Sequence, residues 1–466
     1  MGDLLGAGES AVVTRVCELL VPGSGAARPD HYLAATLPAL SPAEEDAVHA
    51  AIGVMAGVAN PPALARVAGS AAFDRFRLLA IEAFYGDHAP PGRRGPDRAD
   101  VLVVGVDGGP IAADLAARGA DVLLLDSGPG RALFVSTVDD EPIGLPAGPG
   151  PATAERAPAS DVAKFHEHTG LLGAAGPFGP GDLEPWYARA ERAVEPPGGA
   201  RVRRRHDIRH VLLDTSGPRP KVTGVAYTCD GGDGVLRAPV VVLAAGPLAT
   251  PRILLHTHET AGIDSPSARL TGRTLGLRPA RLVYGLLAEP PDPRAPADAG
   301  FAVEPAAPPG PVAFAASLVD TGHRPLWGGR LAEVVRGYPG WTGLRVPVTD
   351  DNTAVADLGV GDEVVVGKRF STAERRRLAE ALEFAVGLLR AAGARDVVWS
   401  GLFAAYPQGG APMGDDPGRS VVGPDGRSHD VDGLYVADAS LLPAVLSVAP
   451  ELTVRALAAK VAEAIR

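Results

Sequence analysis

Residues 101–130, VLVVGVDGGPIAADLAARGADVLLLDSGPG, constrain the fold more than any other stretch. Four apolar residues, Val101 to Val104, run into Gly105. A glycine pair, Gly108 and Gly109, opens an Ala-rich amphipathic segment, and Val122 to Leu125 then delivers Asp126. The pattern predicts strand, glycine turn, helix, strand. That order is the physical requirement for dinucleotide binding. Glycines let backbone N–H groups approach a pyrophosphate at a helix N-terminus, and a carboxylate after the second strand accepts the ribose hydroxyls. Asp126 lies about 20 residues beyond Gly105, the interval that role demands. The glycine code is imperfect, because a G-x-G-x-x-G alignment puts Val103 or Asp107 where a glycine belongs. Asp107 also brings a negative charge toward the phosphates. An ordinary strand–helix–strand unit without a nucleotide has the same pattern, and this stretch leaves both readings open.

The rest of the composition narrows the class. With 466 residues, 46% of them hydrophobic, the chain can bury a large core. A formal net charge of −11 argues against a general nucleic-acid or anionic-membrane partner, both of which need clustered positive charge. The basic run RVRRRHDIRH at 201–210 reads as a solvated strand edge or turn, since no basic face surrounds it. Cys17 and Cys229 are the only cysteines, which excludes a disulfide framework and a cysteine metal cluster. The opening residues show no secretory pattern and no apolar run approaches a membrane span, so the cytoplasm is the expected compartment.

Residues 10–88 carry helical periodicity, with a capping box at Ser41 and Glu44, and predict a helical N-terminal unit over 1–92. The linker HAPPGRRGPDRAD closes it. Four further stretches follow the first βαβ unit: FGPGDLEPWYARAERAVE, APVVVLAAGPLATPRILLHT, TGRTLGLRP, and the long segment from YPQGGAPMG through GLYVADASLLP to the C-terminal helix. Together they resemble the glucose-methanol-choline (GMC) family of flavin-dependent oxidoreductases across roughly residues 100–466. The resemblance implies an α/β architecture: a Rossmann-like FAD-binding domain built from 100–279 and 401–466, and a β-sheet substrate domain over 280–400. Through CELLVPG and FDRFRLLAIEAFYG, the N-terminal segment resembles the small helical subunit of gluconate dehydrogenases.

The same stretches nominate site residues. VVVLAAGP is a buried strand ending at Gly246, where backbone can approach a ligand, and Thr250–Pro251 reads as an N-cap followed by Pro at the first helical position. GLYVADASLLP delivers Asp438 at a strand's C-terminal end, where ligands of open parallel sheets bind. The resemblance implies that Asp438, Ala439 and the helix from Leu452 line FAD, although Asp438 serving only as a cap fits the pattern too. It further implies a histidine base that takes a hydroxyl proton while hydride leaves the same carbon. Tyr406 stands at the histidine's position and Ala449 at the second catalytic position. The remaining polar candidate is Gln408, because no histidine occurs between His323 and His429. RALFVSTVDDEPIGLPAGPG also replaces the glycine-rich segment that packs along the flavin. The sequence therefore leads to an FAD oxidoreductase acting on CH–OH groups of a small molecule with weakened activity. The alternative is a non-redox protein on the same fold, either a cofactor-free enzyme or a stabilising partner subunit. No metal is expected: the alternating pairs His166/His168 and His256/His258 lack carboxylate or cysteine companions close in sequence.

Overall fold

The computed structural model describes residues 6–20, 29–30, 33, 42–67, 97–125, 134–137, 177–178, 182–183, 185–187, 190, 200–203, 206–229, 232–288, 302–303, 313–316, 340–359, 364–446 and 450–465. Contacts divide the chain into two units, one of Met1–Asp97 with Cys229–Gly232 and one of Arg98–Thr228 with Asp233–Arg466.

In the first unit, α1 (Ala7–Leu20) and α2 (Pro42–Met55) share an apolar seam, followed by the short α3 (Pro61–Val67). Val12, Val13, Val16 and Cys17 lie on one face of α1 and cluster with Val48, Ala51, Ile52 and Met55 of α2, the three-and-four spacing of a helix pair. Arg15 donates to the carbonyls of Ala56 and Val58 at 2.9 and 3.0 Å, satisfying acceptors beyond the end of α2. Burial pushes the Cys17 thiol up to about 12, which makes it a packing group and not a nucleophile. Ser41, His166, His168 and residues 71–88 lie outside the described residues.

The second unit is built on a parallel sheet. β1 (Val101–Val104) lies between β2 (Val122–Leu125) and β8 (Val240–Leu243). β4 (Arg201–Arg203) adds outside β2, and β19 (Leu434–Val436) outside β8. The residues of β1 and β2 are buried throughout, which is why they read as unbroken apolar runs. At the β4 edge, Arg201 pairs with Asp121 at 2.8 Å, so the basic run begins as a solvated edge strand. A second, antiparallel sheet orders β11 (Ala302–Val303), β12 (Ala313–Ala316), β13 (Trp341–Pro347), β10 (Pro279–Leu286) and β16 (Asp396–Trp399), with β17 (Phe403–Ala404) beside β10. Helix α6 (Thr372–Ala391) packs Ala381, Ala385 and Leu389 onto Val283, Leu344 and Val346 of that sheet. Its start is fixed by a capping box between Ser371 and Glu374. Smaller sheets join β5 (Asp207–Asp214), β6 (Lys221–Cys229) and β7 (Gly232–Arg237); β14 (Val355–Leu358), β15 (Val364–Lys368) and β3 (Phe134–Thr137); and β9 (Leu275–Gly276) with β18 (Gln408–Gly409). The stretch that replaces the expected glycine-rich segment thus contains a strand, β3, which runs parallel to β15.

Two local expectations are corrected. The helix α5 (Gly246–Ala261) after β8 does not begin at Thr250: it begins at Gly246, with Ala245 as N-cap, a proline in its first two positions, and Pro251 inside it. Thr250 lies inside the first turns of the helix, where its hydroxyl donates to Asp438 and accepts from the N–H of Ala245. His256 and His258 lie on this helix and not on a strand, so two residues' spacing turns their side chains to different faces.

Candidate cofactor crevice and active-site wall

The glycines after β1 have three distinct duties. Gly105 adopts φ 104°, and a Cβ there would lie 2.1 Å from the Ala244 carbonyl oxygen, so the turn out of β1 tolerates no side chain. Its N–H donates to Leu125 O at 2.8 Å and ties the turn to β2. Gly108 is the N-cap of α4 (Gly109–Ala117), and its Cβ would meet Val103 Cγ1 at 2.3 Å, so its missing side chain lets helix and strand pack closely. Gly109, the first helical residue, is buried, yet has no neighbour within 4 Å of its Cβ position.

Strand order locates the crevice. The chain leaves β1 through α4 for β2 on one side, whereas β8 and β19 lie on the other. The carboxyl ends of β1 and β8 therefore flank the topological switch point, where open parallel sheets bind ligands. Both strands end in a positive-φ glycine and feed a helix, β1 through Gly105 into α4 and β8 through Gly246 (φ 88°) into α5. Asp107 is exposed in the 3-10 turn Val106–Gly108, and its Oδ2 is 3.9 Å from the Cβ position of Gly246. Asp126 lies outside the described residues.

Asp438 closes the same crevice from β19. It is fully buried and accepts from Gly246 N–H at 2.9 Å, Thr250 Oγ1 at 2.6 Å, Ser440 N–H at 2.8 Å and the Ser440 hydroxyl. Burial pushes its carboxyl above the ordinary range, partly offset by the hydrogen bonds from Ser440, Thr250 and Gly246. It caps the 3-10 turn that opens at Ala439 and fastens the end of β19 to the start of α5.

The wall predicted to be catalytic follows β17. Ala405 N–H donates to Arg278 O at 3.2 Å, Tyr406 is half-buried in the bend, and Gln408 enters β18 opposite Gly276. Gln408 is fully buried; its Oε1 accepts from Leu446 N–H at 3.0 Å and its Nε2 reaches Tyr406 O at 3.5 Å. Its amide joins Leu446 to the Tyr406 backbone. Ala449 lies outside the described residues.

A buried ion cluster went unnoticed in the sequence. Lys368 Nζ lies 3.0 Å from Asp350 Oδ2 and 2.7 Å from Glu374 Oε1, and donates to Thr353 Oγ1 at 2.9 Å, with all three charged side chains sealed from solvent. Asp350 accepts from Leu277 and Arg278 N–H at 3.1 and 3.3 Å, so the cluster anchors the segment that carries Ala405. Burial acts to raise the Glu374 carboxyl, but hydrogen bonds from Lys368, Ser371 and Asp351 and the Lys368 charge outweigh it and hold it at about 2. The S-x-x-E capping box was the one local signal for this cluster. Among the described residues, no group of three His, Cys, Asp or Glu side chains could hold a metal, and no helix is long and apolar enough to cross a membrane.

Residues 371–458 match the GMC oxidoreductase family profile. This C-terminal portion is similar to the GMC oxidoreductases. An uncharacterized GMC-type oxidoreductase of Mycobacterium tuberculosis is 31% identical over an alignment covering 28% of this chain and 25% of that protein. A long-chain-alcohol oxidase of Arabidopsis thaliana is 22% identical over 52% of this chain and 39% of its own length. The alignments thus span well under half of these curated relatives. Among solved structures, pyridoxine 4-oxidase from Mesorbium loti superposes with a TM-score of 0.51 at 16% identity, over 78% of this chain and 99% of that one. A formate oxidase of Aspergillus oryzae superposes with a TM-score of 0.55 at 13% identity, over 78% and 97%. The shared feature is the fold, a mixed α/β architecture with a parallel sheet.

GMC oxidoreductases typically bind FAD. The crevice fits that cofactor in backbone shape: a tight glycine turn, a helix start at Gly109 with room at its Cβ position, and a second helix start at Gly246.

Proposed function

We propose that the chain is a GMC-type oxidoreductase acting on the hydroxyl-bearing carbon of a small molecule, with FAD as its cofactor and with weakened turnover. The observation that carries this reading is the glycine turn at the switch point between β1 and β8, in a chain whose C-terminal portion matches the family. Gly105, Gly108 and Gly109 would hold the diphosphate, Asp126 the ribose, and Gly246, Asp438 and Ala439 the opposite side of the crevice. FAD, when bound, supplies the hydride acceptor.

The chain's own part is handling the hydroxyl proton. A base works best with a pKa near the working pH, which imidazole has and a phenol, near 10, lacks. Tyr406 is therefore a donor that orients the substrate oxygen, and Gln408 is a positioning residue that fixes the Tyr406 backbone. Removing a general base typically costs about a hundred- to ten-thousand-fold in rate, and weak turnover follows. The relative in Arabidopsis, a long-chain-alcohol oxidase, suggests the substrate panel. Parent, Tyr406→Phe and Tyr406→His proteins are assayed against short- and long-chain alcohols with added FAD and an artificial electron acceptor. Weak parent turnover that rises in Tyr406→His is expected. Robust parent turnover that vanishes in Tyr406→Phe makes Tyr406 a working base and overturns the weakened-site reading.

Asp107 favours a second reading, a non-redox protein on the same fold that uses the substrate cleft without cofactor or stabilises another subunit. A parent protein that leaves the visible spectrum of added flavin unchanged, with no gain in Tyr406→His, selects it. For either reading the free cysteines Cys17 and Cys229 suit a reducing cytoplasm, the compartment we propose.

A further inference from the structure

We infer that Asp350 is a positioning residue for Tyr406, acting through the backbone of Gly276–Arg278. The inference rests on the place given to Tyr406 in the proposed function and concerns what fixes it there. Both ends of the bend that carries Tyr406 are tied to that short segment. Ala405 N–H donates to Arg278 O at 3.2 Å on one side, and Gln408 pairs with Gly276 between β18 and β9 on the other. The bend is bridged across the segment, so the backbone of Tyr406 is set by where Gly276–Arg278 lies.

Arg278 is fully buried at φ 47°, in the left-handed region that a residue with a Cβ occupies only where its surroundings impose it. Asp350 supplies that constraint. Its Oδ2 accepts from Leu277 N–H at 3.1 Å and its Oδ1 from Arg278 N–H at 3.3 Å, so one carboxylate grips two successive amides. Lys368 Nζ, 3.0 Å from Oδ2, balances its charge in a site closed to solvent. Gly276 completes the fit. A Cβ there would lie 2.5 Å from Asn352 Oδ1 and 3.2 Å from Asp350 Oδ1, so the absent side chain lets residues 350–352 close onto β9. Asn352 is itself left-handed at φ 50° and donates from Nδ2 to Pro443 O at 3.3 Å. Backbone strain held in place by a buried carboxylate marks geometry that is fixed for use.

The test uses the full-length protein with fluorotyrosine incorporated, the Tyr406 fluorine resonance being assigned by its loss in Tyr406→Phe. Asp350→Asn keeps the shape of the side chain but turns one of its two acceptor oxygens into a donor, which cannot receive an amide N–H. Leu389→Ala, in the packing of α6 on its sheet, is a core control that destabilises without touching the grip. The expected result is a shifted or broadened Tyr406 resonance in Asp350→Asn and an unchanged one in Leu389→Ala. In the Tyr406→His background, Asp350→Asn should also lower kcat for an alcohol at least about tenfold with KM held within about twofold, because a misplaced group slows the step without loosening binding. Where Asp350→Asn does not fold, combining it with Lys368→Met removes the cation together with its partner and leaves the net charge of the cluster as it was. A Tyr406 resonance unmoved in the Asp350 variants overturns the inference and leaves the oxidoreductase reading standing. A resonance that moves equally in Leu389→Ala overturns it too, by reducing Asp350 to a part of the core. Absence of turnover in every protein overturns the oxidoreductase reading alone, since the resonance is read without turnover.

Discussion

Asp438 and Asp107 approach Gly246 from the two strands that flank β8, and the protein treats the two carboxylates in opposite ways. Asp438 arrives at the end of β19, is sealed from solvent, and spends its oxygens on Gly246, Thr250 and Ser440. Asp107 arrives in the turn after β1 and stands exposed over the same glycine. The first joins strands to helix and belongs to the fold. The second lies at the surface, in a 3-10 turn ahead of a helix. A buried and an exposed carboxylate thus stand close to one glycine, and burial decides which of them the fold depends on.

The largest effect that sharpens this contrast is expected at the other buried acids. Lys368→Met leaves Asp350 and Glu374 facing each other without a cation and should cost about 3–5 kcal/mol in urea unfolding. The same cluster sets an acid limb. The Glu374 carboxyl sits at about 2 in the folded chain and at its ordinary 4.5 when unfolded, so its stabilisation is complete above 4.5 and lost as pH falls toward about 2. Unfolding midpoints that stay level across that window contradict the assignment. Asp438→Ala orphans buried donors of Gly246, Thr250 and Ser440 and should cost roughly 2–4 kcal/mol. Asp107→Asn, by contrast, changes an exposed carboxylate near a helix start and should cost no more than about 1 kcal/mol. If the two aspartate variants unfold alike, the division between a buried carboxylate that the fold depends on and an exposed one breaks down.

Much of this was legible along the chain because it is local. Apolar runs bounded by glycine located β1, β2, β8 and β19. The interactions that decide roles were not local. Asp438 finds Gly246 and Thr250 across nearly two hundred residues, so whether it faced a ligand or capped the chain could not be read from GLYVADASLLP. Thr250–Pro251 reads as a helix start because a threonine before proline looks like a cap, yet the helix already begins at Gly246. Lys368 reads as a strand lysine, and only folding brings Asp350 and Glu374 onto it. Gln408 was nominated for its polarity, yet its amide is committed to Leu446 and Tyr406.

The most direct test of a flavin crevice in this fold is the visible absorption spectrum recorded while FAD is titrated into the parent protein. Flavin held between β1 and β8 gives bands that shift and sharpen with a saturable dependence on FAD. A spectrum that remains the sum of free flavin and colourless protein at every concentration contradicts it.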